Sequence, residues 1–285
     1  MSILFVGDGK GSQKTRLLNH WRITEQAWML IQILSSSNKQ VAMYLWNNLW
    51  SISPSYEDLD ESCKPLVHWA AAKLEDCGIK IMTLSLPFDL TLKQLIGKIR
   101  HAWAGNAIQL KKAQKYTEIL SSAGCTPVIL KGVSSSVYDY VAKRGRTSQD
   151  VDLWIEPAFW CIADTALQNS GLFDSRNSLI RELDSQPKRL VEVHAVDYFG
   201  PDGTLDVHQH PLPGFMSDLS PFKWLSPLKR NNNLYVPSLN DHLAISCLHA
   251  FTDYNRKTKG YLRYLADVLP FLSRLDNDSR ARFNL

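Results

Sequence analysis

The run Gln149-Asp150-Val151-Asp152-Leu153-Trp154-Ile155 sets two carboxylates alternating with apolar residues, just before Pro157. Alternation with a period of two is the mark of a β-strand with unlike faces. Asp150 and Asp152 then share one face, roughly 7 Å apart at the usual strand rise. Aspartate is depleted from strands and is seldom buried unless it is paired or holds a metal. A chain that folds this stretch as a strand must therefore bring cationic charge to that face. Mg²⁺ meets the need, because it binds through one or two carboxylates together with phosphate oxygens. The plainer reading is a chance D-x-D triplet on a loop or strand edge, and what surrounds it decides.

The surrounding rhythm is that of a small α/β sheet. Val128-Ile129-Leu130 reads as a short buried strand broken by Lys131-Gly132, and Val133 to Lys143 as a helix with Ser134 in the cap position. After the acidic strand over 149–155, Pro157 suits the first turn of a helix that runs to Gly171. Leu190 to Val196 reads as a strand, Gly200-Pro201-Asp202-Gly203 as a turn, and Leu205-Asp206-Val207-His208 as the returning arm of a hairpin. Glu192 and His194 share a face of that hairpin, as do Asp206 and His208, so Glu192 and Asp206 both offer a third acid; a solvated hairpin face is the alternative.

Helical periodicity dominates on both sides. Before the sheet, one stripe includes Leu17, Leu18, Trp21, Trp28 and Ile31. A second runs from Leu66 to Cys77 and stops at Gly78; a third runs from Leu92 through Trp103 and on through Ile119 to Gly124. The tryptophans here read as core anchors. Past Pro211, Pro213, Pro221 and Pro227, stripes at Leu243–Phe251 and Leu262–Leu269 predict two more helices, the first capped by Ser238 or Asn240. The expected class is α+β: a mostly helical N-terminal region over 1–123, a small mixed sheet with helices over 124–215, and a helical C-terminal region over 216–285. The stretch Gly7-Asp8-Gly9-Lys10-Gly11-Ser12-Gln13-Lys14-Thr15 is not a Walker A loop, because Gln13 and Asp8 stand where that loop requires glycine.

With 285 residues, 45% of them hydrophobic, the chain can bury a sizeable core in one or two domains. Its net charge of +4 suits a polyanionic ligand such as a nucleoside triphosphate and is too small to argue for DNA binding. Cys63, Cys77, Cys125, Cys161 and Cys247 show no C-x-x-C spacing, so neither a disulfide framework nor a structural zinc is expected. No signal-peptide pattern opens the chain, and no apolar run approaches the roughly eighteen residues of a membrane span. A cytoplasmic location without membrane contact is the expectation.

The ordered set Leu130-Lys131-Gly132, Tyr138, Arg146-x-x-x-Asp150-x-Asp152-Leu153 and Leu205-Asp206-Val207-His208 resembles the nucleotidyltransferases of the DNA polymerase β-like superfamily. It is most similar to a bacterial branch with the pattern LKG…Y…R…DxDLL…DxH. Leu248-His249-Ala250 and Leu262-Arg263-Tyr264-Leu265-Ala266-Asp267 are similar to the C-terminal helices of that branch, so the likeness spans about 90–270. The resemblance implies a nucleotidyltransferase-type sheet, with Asp150 and Asp152 binding catalytic metals, two Mg²⁺ ions in all. It implies that Asp206, standing in the D-x-H match, is the third metal-binding acid rather than Glu192 and helps to deprotonate the acceptor hydroxyl. Lys131 and Gly132 stand where relatives place a Gly-Ser turn that holds the triphosphate, and here Ser134, Ser135 and Ser136 follow. Trp154, where relatives carry a smaller aliphatic, reads as packing.

The residue chemistry agrees without the likeness. An attacking hydroxyl must lose a proton, and departing pyrophosphate needs cationic charge. Lys131 and the amides of the following helical turn answer the second need. Arg146 either touches the triphosphate or pairs with an acid to fix its loop. Arg256, Lys257, Lys259 and Arg263 read as a solvated helix end, and His249 and Asp267 as structural. The leading expectation is Mg²⁺-dependent transfer of a nucleoside monophosphate, AMP from ATP, to a hydroxyl of a small-molecule or peptide acceptor, with release of pyrophosphate. A nucleic-acid acceptor is not expected. The alternatives are a catalytically idle nucleotide-binding module of the same fold, a protein-modifying enzyme of toxin–antitoxin type, and phosphoryl transfer with the nucleotide reversed.

Overall fold

The computed structural model describes residues 23–176, 195–209, 227–229, 234–256 and 260–272. The Gly7–Thr15 stretch, Leu17, Leu18, Trp21, Glu192, His194, Pro211, Pro213, Pro221, Lys257 and Lys259 lie outside the described residues. Contacts divide the chain into two compact units, each drawn from separated segments. One takes Met1–Trp103, Tyr140–Arg146 and His249–Leu285; the other takes Ala104–Asp139 and Thr147–Leu248.

The first unit is helical. Helix α1 (Glu25–Ser35) starts at Thr24, whose Oγ1 accepts from the Ala27 amide at 3.2 Å, and α2 (Lys39–Ile52) starts at Asn38, whose side chain accepts from the Gln40 and Val41 amides. Short polar side chains there satisfy amides that the first turn leaves without carbonyl partners. Helix α3 (Lys64–Asp76) ends at Gly78, where φ is +79° and the Ile79 amide reaches back to the Leu74 carbonyl at 3.0 Å. That is the glycine stop expected from sequence. Leu30, Leu34, Trp46, Leu49, Leu66 and Trp69 form the core, so these tryptophans anchor packing. Trp103, 51% exposed, does not.

Helix α4 (Leu92–Ser122) is one continuous 31-residue element and contributes to both units. No described helix is long and apolar enough to cross a membrane.

Among the described residues the second unit holds a mixed seven-stranded sheet in the order β3-β4-β5-β2-β1-β7-β6. Its strands are β1 (Val128–Ile129), β2 (Val151–Trp154), β3 (Ser175–Arg176), β4 (Ala195–Gly200), β5 (Gly203–His208), β6 (Pro227–Lys229) and β7 (Tyr235–Pro237). β2 runs parallel to β5 and β1 parallel to β7; the other neighbours are antiparallel. This is the expected α+β class.

Period-two alternation splits the sheet's faces. Val151, Leu153, Val196, Leu205 and Val207 enter one core together with Tyr116 and Leu120 of α4 and with Trp160 and Leu167 of α7 (Trp160–Asn169). On the opposite face Trp154 packs with Val128, Leu130 and Ile245, the last from α8 (Leu239–Asn255). Ser238 caps α8, its Oγ accepting from the Asp241 amide at 3.2 Å.

Four boundaries differ from the expected ones. The helix after β1, α5 (Lys131–Tyr138), begins at Lys131, which puts Ser134 inside it rather than at its cap. Lys131 itself turns the chain, with φ +45°. Asp139 is extended, at φ −134° and ψ 123°, and separates α5 from α6 (Tyr140–Gly145), so the expected helix to Lys143 is broken in two. Strand β2 opens at Val151, one residue past Asp150. The arm before the Gly200-Pro201-Asp202-Gly203 turn runs on to Gly200, past the expected end at Val196, while residues 190–194 of the expected arm lie outside the described residues.

Candidate active site

Register brings the acids together. In the parallel β2–β5 ladder Asp152 lies beside Asp206 and Trp154 beside His208, and in the β4–β5 hairpin Asp197 stands opposite Asp206. Paired residues in a ladder project from the same face. Asp152, Asp206 and His208 each offer a ligand atom, and these atoms lie within 4.8 Å of one another. His208 Nε2 is 2.9 Å from Asp152 Oδ1. The Lys131 ammonium donates to the same Oδ1 and stands 3.2 Å from His208 Nε2.

Burial makes this arrangement electrostatically costly. It would raise the Asp152 carboxyl, but the Lys131 charge and the hydrogen bond with His208 outweigh it and hold Asp152 well below the usual carboxylate range. Asp206 goes the other way: burial, then the charges of Asp152, Asp197 and Asp150, push it up to about 8 against the pull of Lys131. Burial and the neighbouring Lys131 lower the His208 imidazole, opposed by Asp152. Burial and Lys131 thus favour the neutral imidazole, the form in which histidine ligates a metal.

Glu192 and His194 lie outside the described residues, and the described residues singled out from sequence are placed as follows. Asp150 sits half-buried on the bend leading into β2, outside the trio whose ligand atoms meet, while its charge reaches Asp206. Lys131 and Gly132 open α5. Ser134 and Ser135 are fully buried, and their hydroxyls lie 3.3 Å from Nδ1 and Nε2 of His242 respectively. Ser136 Oγ donates to the Gly132 carbonyl. Arg146 belongs to the other unit, where its Nε meets Asp267 Oδ1 at 2.6 Å, both residues being buried. Trp154 is 7% exposed and donates from Nε1 to the Gln209 carbonyl at 3.1 Å, a packing role. His249 stacks on Tyr264.

Two participants were not singled out from sequence. Asp197 was legible, because the hairpin turn pairs Gly200 with Gly203, and counting three residues outward from each reaches Asp197 and Asp206. His208 enters the sequence reading as the face-mate of Asp206 and in the D-x-H match, and nothing local marks it as a partner of Asp152.

Two carboxylates and an imidazole nitrogen form a fitting donor set for a divalent cation. The oxygens suit Mg²⁺ or Mn²⁺, and the imidazole inclines the set toward Mn²⁺. Such a charge would relieve the repulsion that burdens Asp206.

A family profile described as "Uncharacterised nucleotidyltransferase" matches residues 74–283. No curated protein and no solved structure matches the chain. The chain belongs to that nucleotidyltransferase family.

Proposed function

We propose that this nucleotidyltransferase moves a nucleoside monophosphate, AMP from ATP, onto a hydroxyl of a small-molecule or peptide acceptor, using Asp150, Asp152 and Asp206 with His208 as its metal-binding set. The observation that carries this reading is the convergence of Asp152, Asp206 and His208 on one face of the sheet, ligand atoms within 4.8 Å. Divalent cations bound there, two in the full reading, would neutralise charge on the phosphates and orient attacking and leaving oxygens. Asp206 takes the acceptor hydroxyl's proton as the oxygen bonds to the α-phosphorus. The bond to the β-phosphate's bridging oxygen breaks, and pyrophosphate departs. Lys131 and the amides opening α5, that of Gly132 among them, supply positive charge and donors for the leaving group.

Incubation with α-labelled ATP, Mn²⁺ or Mg²⁺ and a panel of hydroxyl acceptors tests the reading. Label should pass to an acceptor with release of pyrophosphate, and Asp152→Asn or Asp206→Asn should slow turnover by at least about a hundredfold. Metal-dependent ATP binding unaffected by either substitution would sink it. One observation favours an idle nucleotide-binding module instead: the Ser134 and Ser135 hydroxyls are engaged by His242. Tight ATP binding in calorimetry with no transfer to any acceptor would support that second reading. The mass added to the product separates AMP from phosphate transfer.

A further inference from the structure

We propose that the Lys131 ammonium is the resident cation of the acid cluster and competes with a divalent ion for Asp152 and His208. The ion then binds tightly only when a nucleotide's phosphates draw Lys131 away. This rests on reading the cluster as a metal and nucleotide site. Lys131 Nζ pairs with Asp152 Oδ1 and lies 3.2 Å from His208 Nε2, two atoms that are themselves 2.9 Å apart. A divalent ion held by those atoms would stand roughly 2.1 Å from each, inside the volume the ammonium fills. Ammonium and metal are therefore mutually exclusive there.

The backbone favours exchange by the side chain alone. Ser135 Oγ donates to the Lys131 carbonyl at 3.2 Å and helps pin the main chain. Lys131 is the one non-glycine among the described residues with a positive φ, +45°, a conformation that persists only where its surroundings enforce it. Its side chain keeps 15% of its surface exposed, which leaves the flexible stem a route outward. Polyphosphate oxygens are a natural second partner for a lysine ammonium at a helix start. Lys131 would thus link two events, because leaving Asp152 opens the metal position and meeting the phosphates fills its own need for an anion. Nucleotide and metal then bind with positive cooperativity.

Mn²⁺ titration followed by the electron paramagnetic resonance of the free ion tests this, comparing the wild type with Lys131→Met, which keeps the stem and drops the charge. Without nucleotide, the variant should bind Mn²⁺ about tenfold tighter or more, since the ion no longer displaces a charge-assisted hydrogen bond. α,β-Methylene ATP should tighten Mn²⁺ binding in the wild type far more than in the variant. Equal or weaker Mn²⁺ affinity in a folded variant overturns the proposal.

A second measurement needs only the wild type. Acylation of Lys131 by an amine reagent, read by peptide mass spectrometry, should rise several-fold at saturating Mn²⁺ alone. Unchanged labelling overturns displacement even if the variant's affinity rises through simple loss of charge. If neither protein binds Mn²⁺ with or without the analogue, the functional reading falls as well. If the wild type transfers AMP while affinity and labelling stay unmoved, this inference alone falls.

Discussion

Burial and the charges of Asp152, Asp197 and Asp150 push the Asp206 carboxyl up to about 8 in the folded protein. An unfolded aspartate titrates near 3.9. Stability from this group is therefore complete below about pH 4 and is lost as pH rises through about 8. Asp206→Asn removes that loss. The metal-free variant should be more stable than the wild type at pH 8 by about 1–2 kcal/mol, a figure discounted for the partial exposure of the carboxyl. Urea unfolding at pH 5 and pH 8 checks it, and a variant that is no more stable at the higher pH refutes it. His68 is a separate case. It is 6% exposed, neither of its ring nitrogens has a hydrogen-bond partner among the described residues, and burial, then the charges of Lys98 and His101, lower it from 6.5 to about 4. The unfolded state takes up its proton first, so stability is full above about 6.5 and falls as pH drops toward 4. That gap amounts to at most about 3 kcal/mol. His68→Leu should flatten the acid limb of the unfolding curve, and an unaltered limb would clear His68 of that role.

At the level of elements, glycines separate close contact from open surface. A Cβ on Gly145, at the end of α6, would lie 2.5 Å from the Trp69 Cα on α3. Backbone cannot yield as a side-chain tip does, so Gly145→Ala should cost about 1–3 kcal/mol by thermal unfolding. Gly97, on the exposed side of α4, has nothing within 4 Å of that position. Gly97→Ala should stabilise by about 0.5–1 kcal/mol. Matching shifts for the two variants would contradict the packing of α6 on α3. Stripes in the sequence mark α1, α3 and α4, and Gly78 marks the stop of α3, but no stripe is read over α2 (Lys39–Ile52). The start of α5 was not legible, because its first residue takes a left-handed turn that nothing in a lysine announces. The break at Asp139 was equally silent.

Across the whole molecule, the first unit is assembled from segments far apart in the chain. Arg146 and Asp267, 3% and 1% exposed, meet across 121 positions to close it. Removing one partner strands the other charge in the interior. Arg146→Met should therefore cost about 3–5 kcal/mol, and adding Asp267→Leu should recover most of that loss. Chemical denaturation of the single and double variants reads the effect; additive losses would show that the pair is not coupled. Sequence reading divides the chain into consecutive blocks, whereas the compact units interleave, with Tyr140–Arg146 set in the first and the residues on either side of it in the second.

Sequence by itself determined what depends on near neighbours: the helical stripes, the glycine stop after α3, the hairpin turn at Gly200–Gly203 and an acidic strand that calls for positive charge. Each rests on periodicity or turn chemistry within a dozen residues, where side-chain spacing follows directly from backbone geometry. Tertiary structure alone decided which cation answers those acids, that His208 meets Asp152, and that Arg146 pairs with Asp267. Such pairings are set by strand register and by the docking of remote segments, and a charged side chain carries no local sign of the partner it will meet.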